Sequence, residues 1–145
     1  MEQEELVLRF FALTHEKGYL DYKGQFKNFL TSKMDEFNEL EDGVLLTMEK
    51  HFKNVFSNIK SKFGSNPFQK YRSVDGDLQL MSNFNAAVFD SVIIAVSNEI
   101  TSKKGTSEQL QSLFHDSDYF SSVEGSVNDV KKIKTRVDKV SEILK

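Results

Sequence analysis

Three histidines, His15, His51 and His115, are the first residues to ask for chemistry in this 145-residue chain. None has a second histidine or a carboxylate at metal-ligand spacing on the same helical face. Zinc and di-iron sites in helical proteins use His-Glu-x-x-His or Glu-x-x-His, and neither pattern occurs. Surface or capping roles are therefore expected for all three. VDGDLQ, residues 74–79, has the opening of a calcium loop but lacks its later oxygen ligands and closing Glu. DSD, residues 116–118, reads better as a helix cap. There is no phosphate-cradling glycine loop and no Gly-x-Ser-x-Gly elbow. Cysteine is absent, which removes thiol nucleophiles, disulfides and thiolate metal sites and suits a reducing cytoplasm. No catalytic, cofactor-binding or metal residue is predicted. With no nucleophile, base and oxyanion donor to assemble, the chain is read as non-enzymatic.

Two other groups of residues carry chemistry of a different kind. Asp90 lies inside AAVFDSVIIAV, residues 86–96, the most apolar run of the chain. A lone carboxylate there has nothing to act with, and pairing with a buried cation is the expected role. Arg9 and Arg136 are the candidates, and Arg9 is preferred. The second group is basic. Lys53 and Lys60 share one face of a predicted helix, and Lys132, Arg136 and Lys139 share a face of another. With Lys103 and Lys104 they form a candidate phosphate-tracking surface. Aromatic residues for stacking bases are not interleaved with them, because the phenylalanines fall on core stripes. Net charge is −3, so solvated helix faces are the simpler reading. The charge is uneven: residues 1–49 hold 5 Lys/Arg and 11 Asp/Glu, and residues 50–145 hold 14 and 11.

The elements that must position these groups are helical. One proline and seven glycines leave long stretches unbroken, and 13 phenylalanines supply a large apolar core. Leu6, Phe10 and Leu13, widened by Val7 and Phe11, predict a helix over 3–16 that ends before Gly18. Glu2, Glu4 and Glu5 sit where its dipole favours negative charge. In the connector 18–24, Tyr19 and Tyr22 are expected to pack their rings and keep their hydroxyls wet. Phe26, Phe29, Leu30, Met34 and Phe37 predict a second helix over 25–37. Val44 through Phe63 predict a long third over 41–63, stopped by Gly64. Residues 65–80, with Asp75-Gly76, are either a short hairpin or a loop. A helix over 81–102, apolar nearly all round, belongs at the centre. A short helix through about 114, a turn around 118–123 and a last helix over 126–144 complete the chain. Ser126 with Asp129 resembles a capping box for that last helix. The fold class is therefore all-α: one helical domain over residues 1–145, a bundle of about five to six helices around the buried 81–102 helix. The run 86–96 is about half the roughly 20 residues of a membrane span, so no membrane association is expected.

Several stretches together carry a likeness. EELVLRFFAL, DYKGQFKNFLTSKMDEFN, FKNVFSNIKSKFGSNPFQ and FNAAVFDSVIIA resemble, in order and spacing, the helical region of the domain of unknown function 262 family. These are bacterial proteins related to modification-dependent restriction systems of the GmrSD type. The matching positions are Leu8-Arg9-Phe10, Tyr22-Lys23-Gly24, Phe29-Leu30 with Met34, Phe63-Gly64 to Phe68, and Asn85 to Asp90. The segment around Arg136 is similar to the family's closing helix. Gln69 stands where the family often has arginine, with Lys70 and Arg72 nearby. The family's nucleotide-handling ParB-like motif and its His-Asn-His endonuclease motif are absent from these residues. The resemblance implies a cytoplasmic, non-catalytic helical module of a restriction or phage-defence protein, cut from or encoded apart from a larger one. Its implied partner is a ParB-like domain or another protein. DNA binding through the lysine faces is the alternative function, and the apolar first helix offers a route to self-association.

Overall fold

The computed structural model describes residues 2–145. Helix α1 (Gln3–Thr14) turns Arg9, Phe10, Ala12 and Leu13 inward. Thr14 ends it by donating its hydroxyl to Phe10 O at 2.6 Å. A sharp reversal follows, with Glu16 at φ 54° and Gly18 at φ 51°. A 3-10 turn over Gly18–Asp21 leads to α2 (Phe26–Asn38), which buries Phe26 and the stem of Lys33. Helix α3 (Asp42–Phe63) is 22 residues long and buries Met48, Val55, Ile59 and Phe63. These positions lie on one face at spacings of seven, four and four.

A β-hairpin follows, β1 (Lys70–Val74) and β2 (Asp77–Ser82), antiparallel with Val74 opposite Asp77. Asp75 and Gly76 both take positive φ, 52° and 84°, as a two-residue hairpin turn of the mirror-image type requires. The hairpin does not stand alone. Tyr71 packs its ring edgewise on Phe114 at 5.6 Å, and Ser73 Oγ meets His115 Nδ1 at 2.8 Å. The fold is thus a mostly helical bundle carrying a small two-stranded sheet, rather than a purely all-α one.

Helix α4 (Ala86–Asn98) is the hub, with every residue from Ala87 to Val96 buried. It starts later than the 81–102 pattern suggests, because β2 claims residues up to Ser82 and Asn85 then caps the helix by accepting from Val88 N–H at 3.0 Å. Phe84 consequently sits ahead of the helix, partly exposed. Short helices α5 (Ser107–Ser112) and α6 (Ser117–Ser122) are capped by Thr106 and Asp116. Helix α7 (Val130–Leu144) buries Ile133, Arg136, Val137, Val140, Ser141 and Leu144. It begins at Val130 rather than 126 because Asp129, not Ser126, supplies the cap, accepting from Lys131 N–H at 2.9 Å. Helix α4 packs most extensively on α7, then on α1 and α3. Among the described residues no helix is long and apolar enough to cross a membrane.

Two glycines separate backbone demand from mere sequence. A Cβ on Gly18 would lie 2.3 Å from the carbonyl oxygen of Leu13, whereas one on Gly43 meets nothing within 4 Å. Gly18→Ala is expected to cost about 2–3 kcal/mol, because backbone must move to relieve the overlap. Gly43→Ala is expected to gain about 0.4–1 kcal/mol, through a stiffer unfolded chain. Urea unfolding of both variants checks this, and equal midpoints would refute it.

Candidate functional site

The polar centre of the bundle is built around Asp90. One turn of α4 carries it inward among valines and isoleucines, where a carboxylate loses nearly all hydration. Arg9, on α1, grips it with both arms of its fork. Nε donates to Oδ1 at 3.1 Å, and Nη2 donates to Oδ2. The same guanidinium lies over the ring of Phe26 on α2, 4.3 Å from its centroid. Arg136, fully buried on α7, brings Nη2 to 3.7 Å from Asp90 Oδ2. Its Nη1 donates to the carbonyls of Ser122 at 2.8 Å and Val127 at 2.6 Å. Its Nε and Nη2 make no hydrogen bond with protein atoms.

The surrounding hydroxyls are drawn into the same centre. Tyr119 is wholly buried with its oxygen 2.9 Å from Ser91 Oγ. Burial pushes that phenol up to about 12, against the pull of Ser91 and Arg136. Tyr22 donates to the carbonyl of Asn128, so its hydroxyl is dry rather than wet as the composition of the connector suggests. Burial raises Asp90 above the ordinary carboxylate range, while Arg9 and Arg136 oppose that rise. Burial lowers Arg136, with Asp90 and Tyr119 supporting its charge. The buried centre holds two guanidiniums to one carboxylate; Glu5, half exposed and 3.9 Å from Arg9 Nη1, lies at its edge, and the Ser122 and Val127 carbonyl dipoles support Arg136. Asp90 is 1% exposed and both arginines engage its carboxylate, so the cluster clamps α1, α4 and α7 together.

The basic residues distribute otherwise. Arg136 is fully buried and is no surface contact for phosphate, a correction to its place in the lysine-rich face: it lies three residues after Ile133 and four before Val140, on the buried stripe of α7. Lys53 pairs with Glu49 at 3.0 Å, Lys139 with Asp116 at 2.9 Å, and Lys132 donates to Glu124 O at 2.7 Å. The hydrogen bond with Lys139 holds the Asp116 carboxyl below its ordinary range. Lys60, Lys103 and Lys104 stay exposed, and neighbouring Lys62 ties this corner together by donating to Ser102 O and Lys104 O.

His115 serves the hairpin contact described above. His51 reaches across from α3 to Ser97 of α4, with Nε2 2.8 Å from Oγ. Burial, and then His15, lower its pKa. Among the described residues no group of three or more His, Asp or Glu side chains gathers closely enough to hold a metal ion.

The surface offers clefts instead. One of about 400 Å³ runs between the start of α1 and a row of rings, Phe52, Phe56, Phe68, Phe84 and Phe89. These rings stack edgewise or tilted, Phe68 on Phe89 at 4.9 Å and Phe52 on Phe56 at 4.6 Å. Val7, 42% exposed, stands at its rim. The ring row needs α3, the end of the hairpin and α4 at once. Its assembly was hidden from sequence periodicity, which sorts residues within one helix only. No protein-family model, curated protein or solved structure matches the chain.

Asp90→Asn keeps shape and removes charge, leaving buried Arg136 without a counter-ion and Arg9 with only the half-exposed Glu5, 3.9 Å from its Nη1. A loss of about 3–5 kcal/mol is expected in urea unfolding. Lys53→Ala, which breaks only an exposed pair, is expected to stay within about 0.5 kcal/mol. If the two variants unfold alike, the clamp is not what holds the bundle.

A pH dependence follows from His51. Its native pKa lies below the ordinary 6.5, so the unfolded chain takes up a proton first as pH falls. Its contribution is complete above about pH 6.5 and is lost as pH drops through the lower native value. His51→Gln should flatten the slope of stability between pH 7 and 5, and an unchanged slope would assign that dependence to other groups.

Proposed function

We propose that the chain is a non-catalytic helical docking module, and that its partner lies across the outer face of α1 and the phenylalanine-lined cleft beside it. The observation that carries this reading is that cleft: five rings and the α1 side chains Leu6 and Val7 enclose about 400 Å³ of almost wholly apolar space on the surface. Phe84 and Val7 remain substantially exposed at its edge. A contiguous apolar patch of this kind is a frequent mark of an interaction surface. The chemistry suited to it is a partner's aliphatic or aromatic anchor residues, with α1 offering Gln3 and Glu4 as a polar rim.

The resemblance to the domain of unknown function 262 family supplies the partner class. In this reading the module belongs to a bacterial restriction or phage-defence protein and docks a ParB-like nucleotide-handling domain. The nucleic-acid alternative gains no specific support, since Arg136 is interior and Lys53, Lys132 and Lys139 already have partners.

The test is a titration of this chain against a purified ParB-like domain from that family, followed by calorimetry. Binding is expected, and Val7→Asp should weaken it at least about tenfold by placing an unpaired charge in the contact. Val7 is exposed, so the variant should keep its unfolding midpoint. A monomeric chain that binds no such domain, or binding that ignores Val7→Asp, would sink the reading.

A further inference from the structure

A second cleft, of about 430 Å³, opens where the end of α1 meets the first turns of α3. Phe11, Val44 and Met48 form its apolar walls, and Thr14, Thr47 and His51 bring polar atoms to it. We propose that it is a binding site for a small organic cation, an amine carried on an apolar body about the size of a phenylethyl group. This goes beyond the docking reading and uses a different part of the surface.

Charge decides the sign of the ligand. No lysine or arginine lines the cleft; its ionisable groups are His15, His51 and the carboxylate of Glu16. That side chain is 80% exposed and is only loosely engaged, 3.8 Å from His15 Nε2. Helix α1 ends at this cleft, with Thr14 and His15 in its lining, and no basic residue in its last turn offsets the negative end of the helix dipole. The start of α3 contributes the opposite dipole end, but Glu41 and Asp42 sit on that turn. A carboxylate ligand is therefore disfavoured by Glu16 and by the end of the α1 dipole, while an ammonium is attracted by both.

Hydrogen-bonding capacity points the same way. The hydroxyl of Thr14 donates to Phe10 O at 2.6 Å and that of Thr47 to Gly43 O at 3.1 Å. With their protons committed to the helices, both oxygens face a ligand as acceptors only. His51 has Nε2 engaged by Ser97 and is disfavoured as a cation by burial and by His15, so it does not repel a positive charge at neutral pH. Phe11, Val44 and Met48 line the cleft and accept an apolar body.

The experiment uses the full chain and three matched probes: 2-phenylethylammonium, 2-phenylethanol and phenylacetate, each followed by backbone amide shifts up to about 10 mM, where millimolar affinities are readable. The amine is expected to bind best and the acid worst, with shifts centred on residues 14–16 and 43–48. Glu16→Gln should weaken the amine about three- to fivefold, the size of one exposed ion pair, and leave the alcohol unchanged. Val44→Trp, at a partly exposed position, should fill the cleft and abolish both. Val7→Asp should alter neither, which separates this site from the docking face. The proposal is overturned if phenylacetate binds as well as the amine, if Glu16→Gln leaves the amine-to-alcohol ratio unchanged, or if no probe shifts these residues.

Discussion

A single carboxylate in the wrong place sets the terms for this fold. Asp90 stands on the most apolar helix of the chain, and an unpaired charge there would cost several kcal/mol after relaxation. Its two arginines come from the two ends of the sequence, Arg9 on α1 and Arg136 on α7. Each then recruits further structure. Arg9 lies on Phe26 of α2, and Arg136 takes the carbonyl of Ser122, the last residue of α6, and that of Val127 in the following loop. Five helices are thereby brought to one point, in one register. A hydrophobic exchange of the whole trio could match its stability in principle, but such a core would lose the directional reason for α1 and α7 to flank α4.

The aromatic residues answer a different constraint. Phe10 sits edgewise on Phe52 at 4.9 Å, and the contact continues through Phe56, Phe89 and Phe68 to Phe84. Rings that meet at steep angles cannot close on each other as tightly as aliphatic side chains interdigitate, unless further residues fill between them. On the α1 side nothing does, and the row ends as a cleft at the surface. The ion cluster and the ring row therefore divide the bundle: a polar knot that locks helix positions, and an apolar ridge that stays open to contact.

What could be read from the residues alone was whatever one element decides by itself. The stripes of α1, α3 and α7, the stop at Gly64 and the cap within 116–118 all depend on neighbours within a few positions. The hairpin stayed undecided because YRSV and DLQL are too short to outweigh a loop reading, and only Phe114 and His115, over forty positions on, give β1 something to rest on. The same cause moved the start of α4: local periodicity runs through Met81 and Phe84, but pairing of β2 with β1 takes those residues first. Asp90 was legible as a residue in need of a cation. Arg136 was legible both as a candidate cation for Asp90 and as part of a basic face with Lys132 and Lys139; the first holds, because Arg136 lies three residues after Ile133 and four before Val140, on the buried stripe of α7.

The clamp also bears on how α1 presents its outer surface. Arg9 faces inward and Val7 outward on the same short helix, two residues apart and so roughly opposite in direction. A 12-residue helix is marginal in isolation, and propensity alone would not hold it. The bidentate grip on Asp90 fixes both its depth and its rotation, because a turn of the helix by one residue would carry the guanidinium away from the carboxylate. Val7 and Leu6 are consequently held in one orientation against the ring row. The exposed apolar face is thus held in one geometry by the fold itself, so that whatever contacts it meets a helix already ordered.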